Sequence, residues 1–193
     1  MAAKPSQKEK IVRTTAELLR RRGYAATGLA EIIEASGAPK GSLYHYFPGG
    51  KDEIAAAALA YAGERVSSTL SALAETAETP GAMVRAYGAL LAGWMAQSGF
   101  RDGCPITTTL LETAPEKTGL TDAGRDAFEA WFSILERRLV AAGLTEANAH
   151  QLSRLTIMAL EGALILSRVE KSGEPIMLAA DRMAGLIDTE SPR

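Results

Sequence analysis

Residues 38–51 read APKGSLYHYFPGGK, and this stretch decides how the chain is expected to fold. Pro39 is favourable at the first position of a helix, because its missing N–H would have no partner within the helix. Leu43 and Phe47 are one helical turn apart and give the segment one apolar side. The Pro-Gly-Gly run that follows ends the helix, and Lys51 begins another. We therefore predict a short helix that starts at Pro39 and is anchored by Leu43 and Phe47.

The other side of this short helix is polar. It carries side chains that bond to phosphate oxygens or base edges and are unsuited to a packed core. They are Lys40, Ser42, Tyr44, His45 and Tyr46. The segment is therefore predicted to read DNA.

Two more helices are predicted before this one. Ser6 and Glu9 have the spacing of a capping box, and apolar residues follow at helical intervals until Gly23. A second helix is expected to start at Thr27 or Gly28 and to end at the Ser-Gly pair of residues 36–37. Two helices joined by a tight turn that contains glycine, the second one short, are typical of a helix-turn-helix motif.

The rest of the chain is also predicted to be helical. Alanine is abundant, aromatic residues make up 6% of the sequence, and runs of β-branched residues are nearly absent, which favours helix over strand. Periodic apolar residues, separated by breaks that contain proline or glycine, predict further helices after residue 51. The fold class is therefore predicted to be all-α with about nine helices. A helix-turn-helix domain would span residues 1–50, and an effector-binding and dimerisation domain residues 51–193.

Charge is unevenly distributed along the chain. Residues 1–52 carry nine Lys or Arg against five Asp or Glu, whereas residues 53–193 carry twelve against eighteen. A basic first segment suits a polyanionic partner at that end. The start of the sequence is polar, without the apolar region of a secretion signal, and no apolar run approaches the roughly 18 residues of a membrane span. A cytoplasmic location without membrane contact is expected.

Cysteine and histidine are scarce. Cys104 is the single cysteine and the chain has two histidines, so an internal disulfide, a multi-cysteine zinc site and any metal or other cofactor are unexpected. An enzyme that uses Cys104 as nucleophile would need a histidine base. His45 belongs to the predicted DNA-reading helix and His150 stands alone near a helix start, so we predict that the protein is not an enzyme.

The N-terminal segment resembles the TetR family of bacterial transcriptional regulators. The resemblance is carried by Gly23, Tyr24, Thr27, Glu31, Ile32, the ASG run at 35–37, the KGSLYHYF run at 40–47 and Lys51. Residues 39–51, with GCPI at 103–106 and EGAL at 161–164, are similar to the LmrA/YxaF-type subgroup. The resemblance implies a homodimer whose third helix enters the major groove of operator DNA, and a larger domain that binds a small molecule.

DNA contacts are expected from the helix-turn-helix motif and from the start of the fourth helix. Lys40 is predicted to reach a guanine edge or a phosphate, Gly41 to let the backbone approach DNA, and Tyr44 to touch a thymine methyl group or a phosphate. Phosphate contacts are expected from Thr27, Ser42, His45, Tyr46 and Lys51. The sequence departs from the wider family at Pro39 and Gly28, where Ser and Thr are commoner, so a phosphate contact and a helix cap are expected to be lost there.

The effector site is predicted among large side chains on successive helices of the second domain. A cavity there would suit an apolar or aromatic ligand, although an ordinary packed core explains the same pattern. The candidates are Trp94, Met95, Phe100, Thr108, Phe128, Trp131, Met158 and Glu161.

The last two helices carry apolar stripes rich in small residues. Two such pairs of helices could form a four-helix bundle between two copies of the chain, although the same stripes could face their own chain. The candidates are Leu152, Leu155, Ala159, Gly162, Leu166, Ala180, Met183 and Ile187.

The sequence thus predicts a homodimeric, ligand-responsive repressor of a pseudo-palindromic operator. An effector would change the tilt of the fourth helix, so that the two DNA-reading helices no longer match the spacing of the half-sites. Two alternatives are a DNA-binding regulator that has no effector and one that is controlled by oxidation of Cys104.

Overall fold

The computed structural model describes residues 6–191, which form nine α-helices and no β-strand. The predicted all-α fold class is therefore confirmed. The helices are α1 (Gln7–Arg22), α2 (Leu29–Ser36), α3 (Lys40–Tyr46), α4 (Lys51–Thr76), α5 (Pro80–Gln97), α6 (Pro105–Thr113), α7 (Thr118–Ala141), α8 (Glu146–Glu170) and α9 (Glu174–Glu190). Within the described residues, none of these helices is long and apolar enough to cross a membrane.

Capping side chains explain where several helices begin. The Ser6 hydroxyl accepts from the Glu9 amide, and the Glu9 carboxylate accepts from the Ser6 amide at 2.7 Å, which confirms the predicted capping box. The hydroxyls of Thr79 and Thr145 cap α5 and α8. Each cap satisfies an amide that has no partner within its helix.

Two helix starts differ from the prediction. α2 begins at Leu29, because Gly28 has extended backbone and serves as an N-cap without a side-chain acceptor. α3 begins at Lys40, because Pro39 has a ψ of 138° and lies outside the helix.

Among the described residues, the first compact unit contains residues 6–64 together with Cys104–Ala127. In it, α1 packs against α2, α3 and α6. One cluster of its buried core consists of Ile11, Val12, Ile32, Ala38, Leu43, Phe47 and Ile54. This unit is larger than the helix-turn-helix domain predicted from the sequence, because α6 and the beginning of α7 belong to it.

The second compact unit contains Arg65–Gly103 and the residues from Phe128 onward. Here α9 packs against both α5 and α8. The approach of α5 to α9 is close, since a Cβ on Gly88 would lie 2.4 Å from the Cβ of Ala180. Arg85 also bridges the two helices, with nitrogen–oxygen distances of 3.4 Å to Asp181 and 3.0 Å to Asp188.

Candidate nucleic-acid interface

Helix α3 has one apolar side and one polar side. Leu43 is 0% exposed and Phe47 is 2% exposed, which confirms their predicted role as anchors in the core of the first unit. The exposed residues of α3 are Lys40, Gly41, Tyr44, His45 and Tyr46, and Ser42 is half-buried. The structure therefore presents most of the predicted DNA-contacting side chains on one short helix.

Aromatic side chains dominate the exposed side of α3. Tyr44 is 49% exposed and Tyr46 is 37% exposed, and the Tyr46 ring meets His45 edge-on with ring centres 5.1 Å apart. At Gly41, the position of a Cβ would have no atom within 4 Å, so the surface over this turn is open. Amphipathic tyrosine rings beside an open glycine provide both apolar surface and hydroxyl groups for a binding partner.

Thr27 does not lie on this exposed surface. It is 1% exposed, and its hydroxyl donates to the Gly23 carbonyl at 2.8 Å. Its amide donates to the Tyr24 carbonyl at 3.2 Å. Both polar groups therefore bond within the turn between α1 and α2. Neither of them is directed to a phosphate, in contrast to the phosphate contact that the sequence predicted for Thr27.

Lys51 lies at the start of α4, close to Tyr24. Its ammonium nitrogen is 4.0 Å from the centre of the Tyr24 ring, a cation–π distance. Burial lowers the pKa of Lys51, while the negative charges of Glu112 and Asp52 oppose that change. A lysine in a first helical turn also faces the positive end of the helix dipole, so an anion at this place would stabilise it.

Four residues around Lys51 were missed by the sequence analysis as parts of this site. Tyr24 donates its hydroxyl to Asp52, and Lys117 donates to the other Asp52 oxygen at 2.6 Å. The carboxylate of Glu112 accepts from the amides of Tyr24 and Ala25 at 3.1 and 2.5 Å. These residues are far apart in sequence, and no periodicity connects them.

The charges of this cluster shift each other's protonation. The hydrogen bond from Lys117 is the main reason why the pKa of Asp52 is lowered, and the same bond raises the pKa of Lys117. Burial and the hydrogen bond to Asp52 raise the pKa of Tyr24. At neutral pH the Asp52 carboxylate is therefore ionised and lies between the neutral Tyr24 phenol and the charged Lys117 ammonium group.

Comparison with known proteins identifies the family. Residues 11–58 match the family of bacterial regulatory proteins described as the tetR family, and residues 80–182 match the family described as the C-terminal domain of LmrA/YxaF-like transcriptional regulators. The chain belongs to the TetR family. Helix-turn-helix DNA binding and transcription regulation are the properties that define these regulators, and the resemblance predicted from the sequence is confirmed.

Relatives within the TetR family align over nearly the whole chain. The uncharacterized HTH-type transcriptional regulator YxaF of Bacillus subtilis (strain 168) is 32% identical over 187 residues, which cover 97% of this chain and 98% of YxaF. The HTH-type transcriptional regulator LmrA of the same organism is 31% identical over 170 residues, which cover 88% of this chain and 90% of LmrA. Both relatives are described as HTH-type transcriptional regulators.

Solved structures share the TetR fold. The crystal structure of a TetR transcriptional regulator from Legionella pneumophila has a TM-score of 0.83 and 17% sequence identity, and the match covers 99% of this chain and 100% of that one. At this identity the comparison shows the fold.

The predicted effector residues of this TetR-family chain do not form one group. Phe128 meets Trp131 edge-on at 5.2 Å and stacks on Phe132 at 6.3 Å, and the Arg154 guanidinium lies 4.6 Å from the centre of the Phe132 ring. Met95 is buried, whereas Phe100 and Glu161 are half-buried. Trp94 and Met158 are 43% and 58% exposed. In the first unit, the Thr108 hydroxyl donates to the Leu19 carbonyl at 3.0 Å.

A gap in the second unit lies among other residues than those predicted. It is too narrow to hold a water molecule, and its lining consists of Leu70, Met83, Val84, Tyr87, Leu135, Thr156, Ile157 and Leu160. A ligand could enter it only if packed side chains moved apart.

The predicted dimer residues fall into two groups. Leu152, Ala180 and Ile187 are at most 3% exposed and lie in the core of their own chain. Leu155, Gly162 and Leu166 are exposed on α8, and Ala159 and Met183 are half-buried. Only these exposed and half-buried residues are available to a partner chain.

Among the described residues there is no cluster of three side chains that could hold a metal ion.

Proposed function

We propose that this TetR-family chain is a homodimeric repressor that binds a pseudo-palindromic operator through α3 and is released by a small apolar or aromatic effector. One observation carries the DNA-binding part of this proposal. Helix α3 is fixed by the buried side chains of Leu43 and Phe47, and it leaves Lys40, Tyr44 and Tyr46 exposed to solvent.

Within α3 we assign base reading and phosphate binding to different side chains. Lys40 and Tyr44 are one helical turn apart, and open Gly41 between them allows close approach to the major groove. Ser42, His45, Tyr46 and, from α4, Lys51 would hold the phosphates that flank those bases. Thr27 makes no direct contact with DNA in this assignment, because its hydroxyl is buried and donates to the Gly23 carbonyl.

The experiment that tests this assignment is operator binding by point variants. Operator fragments are first selected from genomic DNA with the wild-type protein, and affinity is then measured by fluorescence anisotropy. Lys40→Ala and Tyr44→Ala are each expected to weaken specific binding by about 5- to 150-fold, since each removes a base contact of about 1–3 kcal/mol. Undiminished binding of both variants at unchanged fold would refute the proposal.

An exposed apolar stripe on α8 supports the dimer. Large hydrophobic side chains recur there at helical intervals, and their exposure ranges from 46% to 74%. The stripe consists of Leu155, Met158, Ile165, Leu166 and Val169, with Gly162 between its two halves. Such a stripe costs free energy in water, and a second copy of the same helix would cover it.

Sedimentation velocity tests the dimer. Leu166→Glu places a charge in the middle of the stripe and is expected to produce monomers. The matched control is Leu111→Glu, because Leu111 is 75% exposed on α6, outside the stripe. A dimer that persists in the Leu166 variant, or that is lost equally in the control, would contradict the proposed interface.

The effector part of the proposal rests on the aromatic layer of α7. Phe128 meets Trp131 edge-on and stacks on Phe132, and the guanidinium of Arg154, which is paired with Glu129 and Glu136, lies over the Phe132 ring. Since the neighbouring gap is closed, an effector must select a conformation in which side chains have separated. The helix that would transmit this change is α4, which begins at Lys51 in the first unit and ends at Thr76 in the second.

Tryptophan fluorescence tests effector binding. The chain has two tryptophans, so Trp94→Phe leaves Trp131 as the only reporter. An effector found by thermal-shift screening is expected to change the emission of that variant and to lower operator affinity. A regulator without an effector would show neither change for any compound in the screen. A regulator controlled by oxidation of Cys104 would lose operator binding in peroxide, and Cys104→Ser would prevent that loss.

A further inference from the structure

Four side chains of the first unit meet at the start of α4, and we call them the Tyr24 cluster: Tyr24, Lys51, Asp52 and Lys117. The centre of the Tyr24 ring lies 4.0 Å from the Lys51 ammonium nitrogen and 5.3 Å from that of Lys117. Lys117 comes from the connection between α6 and α7, outside the helix-turn-helix motif. Its presence beside a proposed phosphate contact needs a physical explanation.

The ring under Lys51 is fixed from two sides. Its hydroxyl donates to Asp52, and the backbone of the turn that carries it is fixed because the amides of Tyr24 and Ala25 donate to the Glu112 carboxylate. The aromatic face is therefore a fixed surface for the Lys51 ammonium. A lysine in contact with a ring loses less freedom when it binds a phosphate than one that moves freely in water.

Asp52 would by itself weaken a phosphate site. Its carboxylate adjoins Lys51 in sequence and would attract the Lys51 ammonium and repel a phosphate. Lys117 prevents this by donating to Asp52 at 2.6 Å, on the oxygen that Tyr24 does not use. The aspartate charge is thus shared between Tyr24 and Lys117, and Lys51 remains over the ring.

We infer that Tyr24, Asp52 and Lys117 are positioning residues that hold the Lys51 ammonium ready for a DNA phosphate. Lys117 therefore sets operator affinity although it does not touch DNA. This inference rests on the proposed function, because it needs Lys51 to contact a phosphate. It adds a determinant of DNA affinity from a segment about 66 residues away in sequence, which the helix-turn-helix motif does not contain.

The test is a double-mutant cycle on the salt dependence of operator binding, measured by anisotropy with the full-length chain. Each phosphate contact contributes about 0.9 to the slope of log affinity against log salt concentration, or about 3.5-fold in affinity between 50 and 200 mM salt. Lys51→Met is expected to lower the slope by about that amount. Lys117→Met is expected to lower both slope and affinity in the wild-type background and to change nothing further in the Lys51→Met background.

Other outcomes overturn the inference. If the two variants are additive, with a total slope loss of about 1.8, Lys117 contacts a phosphate itself. If Lys117→Met matches the wild type in both slope and affinity, its bond to Asp52 is an ordinary surface ion pair. If Lys51→Met leaves the slope unchanged, or the wild type binds no operator, the phosphate contact of the proposed function fails and the inference fails with it.

Two further variants guard against unspecific effects. Arg125→Met removes the same charge from the same unit, and Arg125 pairs with Asp122 on its own helix at 2.7 Å, so this control is expected to keep the wild-type slope. Tyr24→Phe keeps the ring and loses only the bond to Asp52. This variant is expected to keep a wild-type melting temperature to within a few degrees and to reduce operator affinity less than Lys117→Met does. A larger loss of affinity than in Lys117→Met would contradict the proposal that Lys117 is what keeps Asp52 away from Lys51.

Discussion

The turn between α1 and α2 depends on a contact that a single methyl group would abolish. Gly23 has φ 76° and ψ −176°, a backbone region that is almost restricted to glycine. A Cβ at this position would lie 1.8 Å from Oε1 of Glu112. Gly23→Ala therefore has to strain the backbone and displace the carboxylate that holds the amides of Tyr24 and Ala25.

The expected cost follows from these two effects. The backbone strain amounts to about 1–3 kcal/mol. The loss of two amide–carboxylate hydrogen bonds at an exposed site adds about 1 kcal/mol, toward the lower end for such bonds. We therefore predict that Gly23→Ala lowers the free energy of unfolding by about 2–4 kcal/mol, measured by urea denaturation.

A double-mutant cycle shows whether the contact with Glu112 is part of this cost. In a Glu112→Ala background, Gly23→Ala is expected to cost about 1 kcal/mol less, because the bonds are already absent. The control is Gly37→Ala, since Gly37 has φ 62° but no atom within 4 Å of the added Cβ, and its cost should be the same in both backgrounds. Additive costs for Gly23→Ala and Glu112→Ala would refute the reasoning.

Three other predictions concern the core, the helix packing and the charge cluster. Leu43→Ala is expected to destabilise the chain by about 2–5 kcal/mol in urea denaturation, whereas Tyr44→Ala should stay within about 0.5 kcal/mol of the wild type, because Leu43 is 0% and Tyr44 49% exposed. Gly88→Ala is expected to cost about 1–3 kcal/mol by the same assay, because its Cβ would lie 2.4 Å from that of Ala180; an unchanged midpoint would show that α5 and α9 can move apart freely. The pKa of Asp52 is lowered in the folded state, so its stabilisation is full above the unfolded pKa of about 3.9 and is lost as the pH falls through the folded pKa. The stability difference between the wild type and Asp52→Asn should therefore be constant from pH 7 to about pH 5 and shrink as the pH falls below about 4. A difference that grows in acid would contradict the assigned charge state.

Local sequence patterns predicted the helix-turn-helix well because its determinants are local. The capping box of Ser6 and Glu9, the stop at Gly23 and the spacing of Leu43 and Phe47 each act within one or two helical turns. The same reasoning placed the start of α3 one residue too early, because it treated Pro39 as the first helical residue and not as the cap. It also left Thr27 available to DNA, since the pattern does not show that the hydroxyl returns to the carbonyl four residues earlier.

Contacts between distant segments could not be predicted in this way. Lys117 reaches Asp52, and Glu112 reaches the turn at Tyr24, only because α6 packs against α1. The predicted dimer residues on α8 were divided into buried and exposed ones for the same reason. Leu152 and Leu155 are one turn apart and equally apolar, yet one is 3% and the other 46% exposed, because helix packing decides which side each residue occupies.

The most direct test of DNA reading by α3 is base-resolved selection of operator sequences by the wild type and by Lys40→Ala. The wild type is expected to select a two-fold symmetric site with half-sites about one helical turn apart, or a multiple of that distance. The variant is expected to lose its base preference at one position in each half-site and to keep the others. An asymmetric site, or identical preferences for both proteins, would contradict the claim that α3 of a homodimer reads the operator.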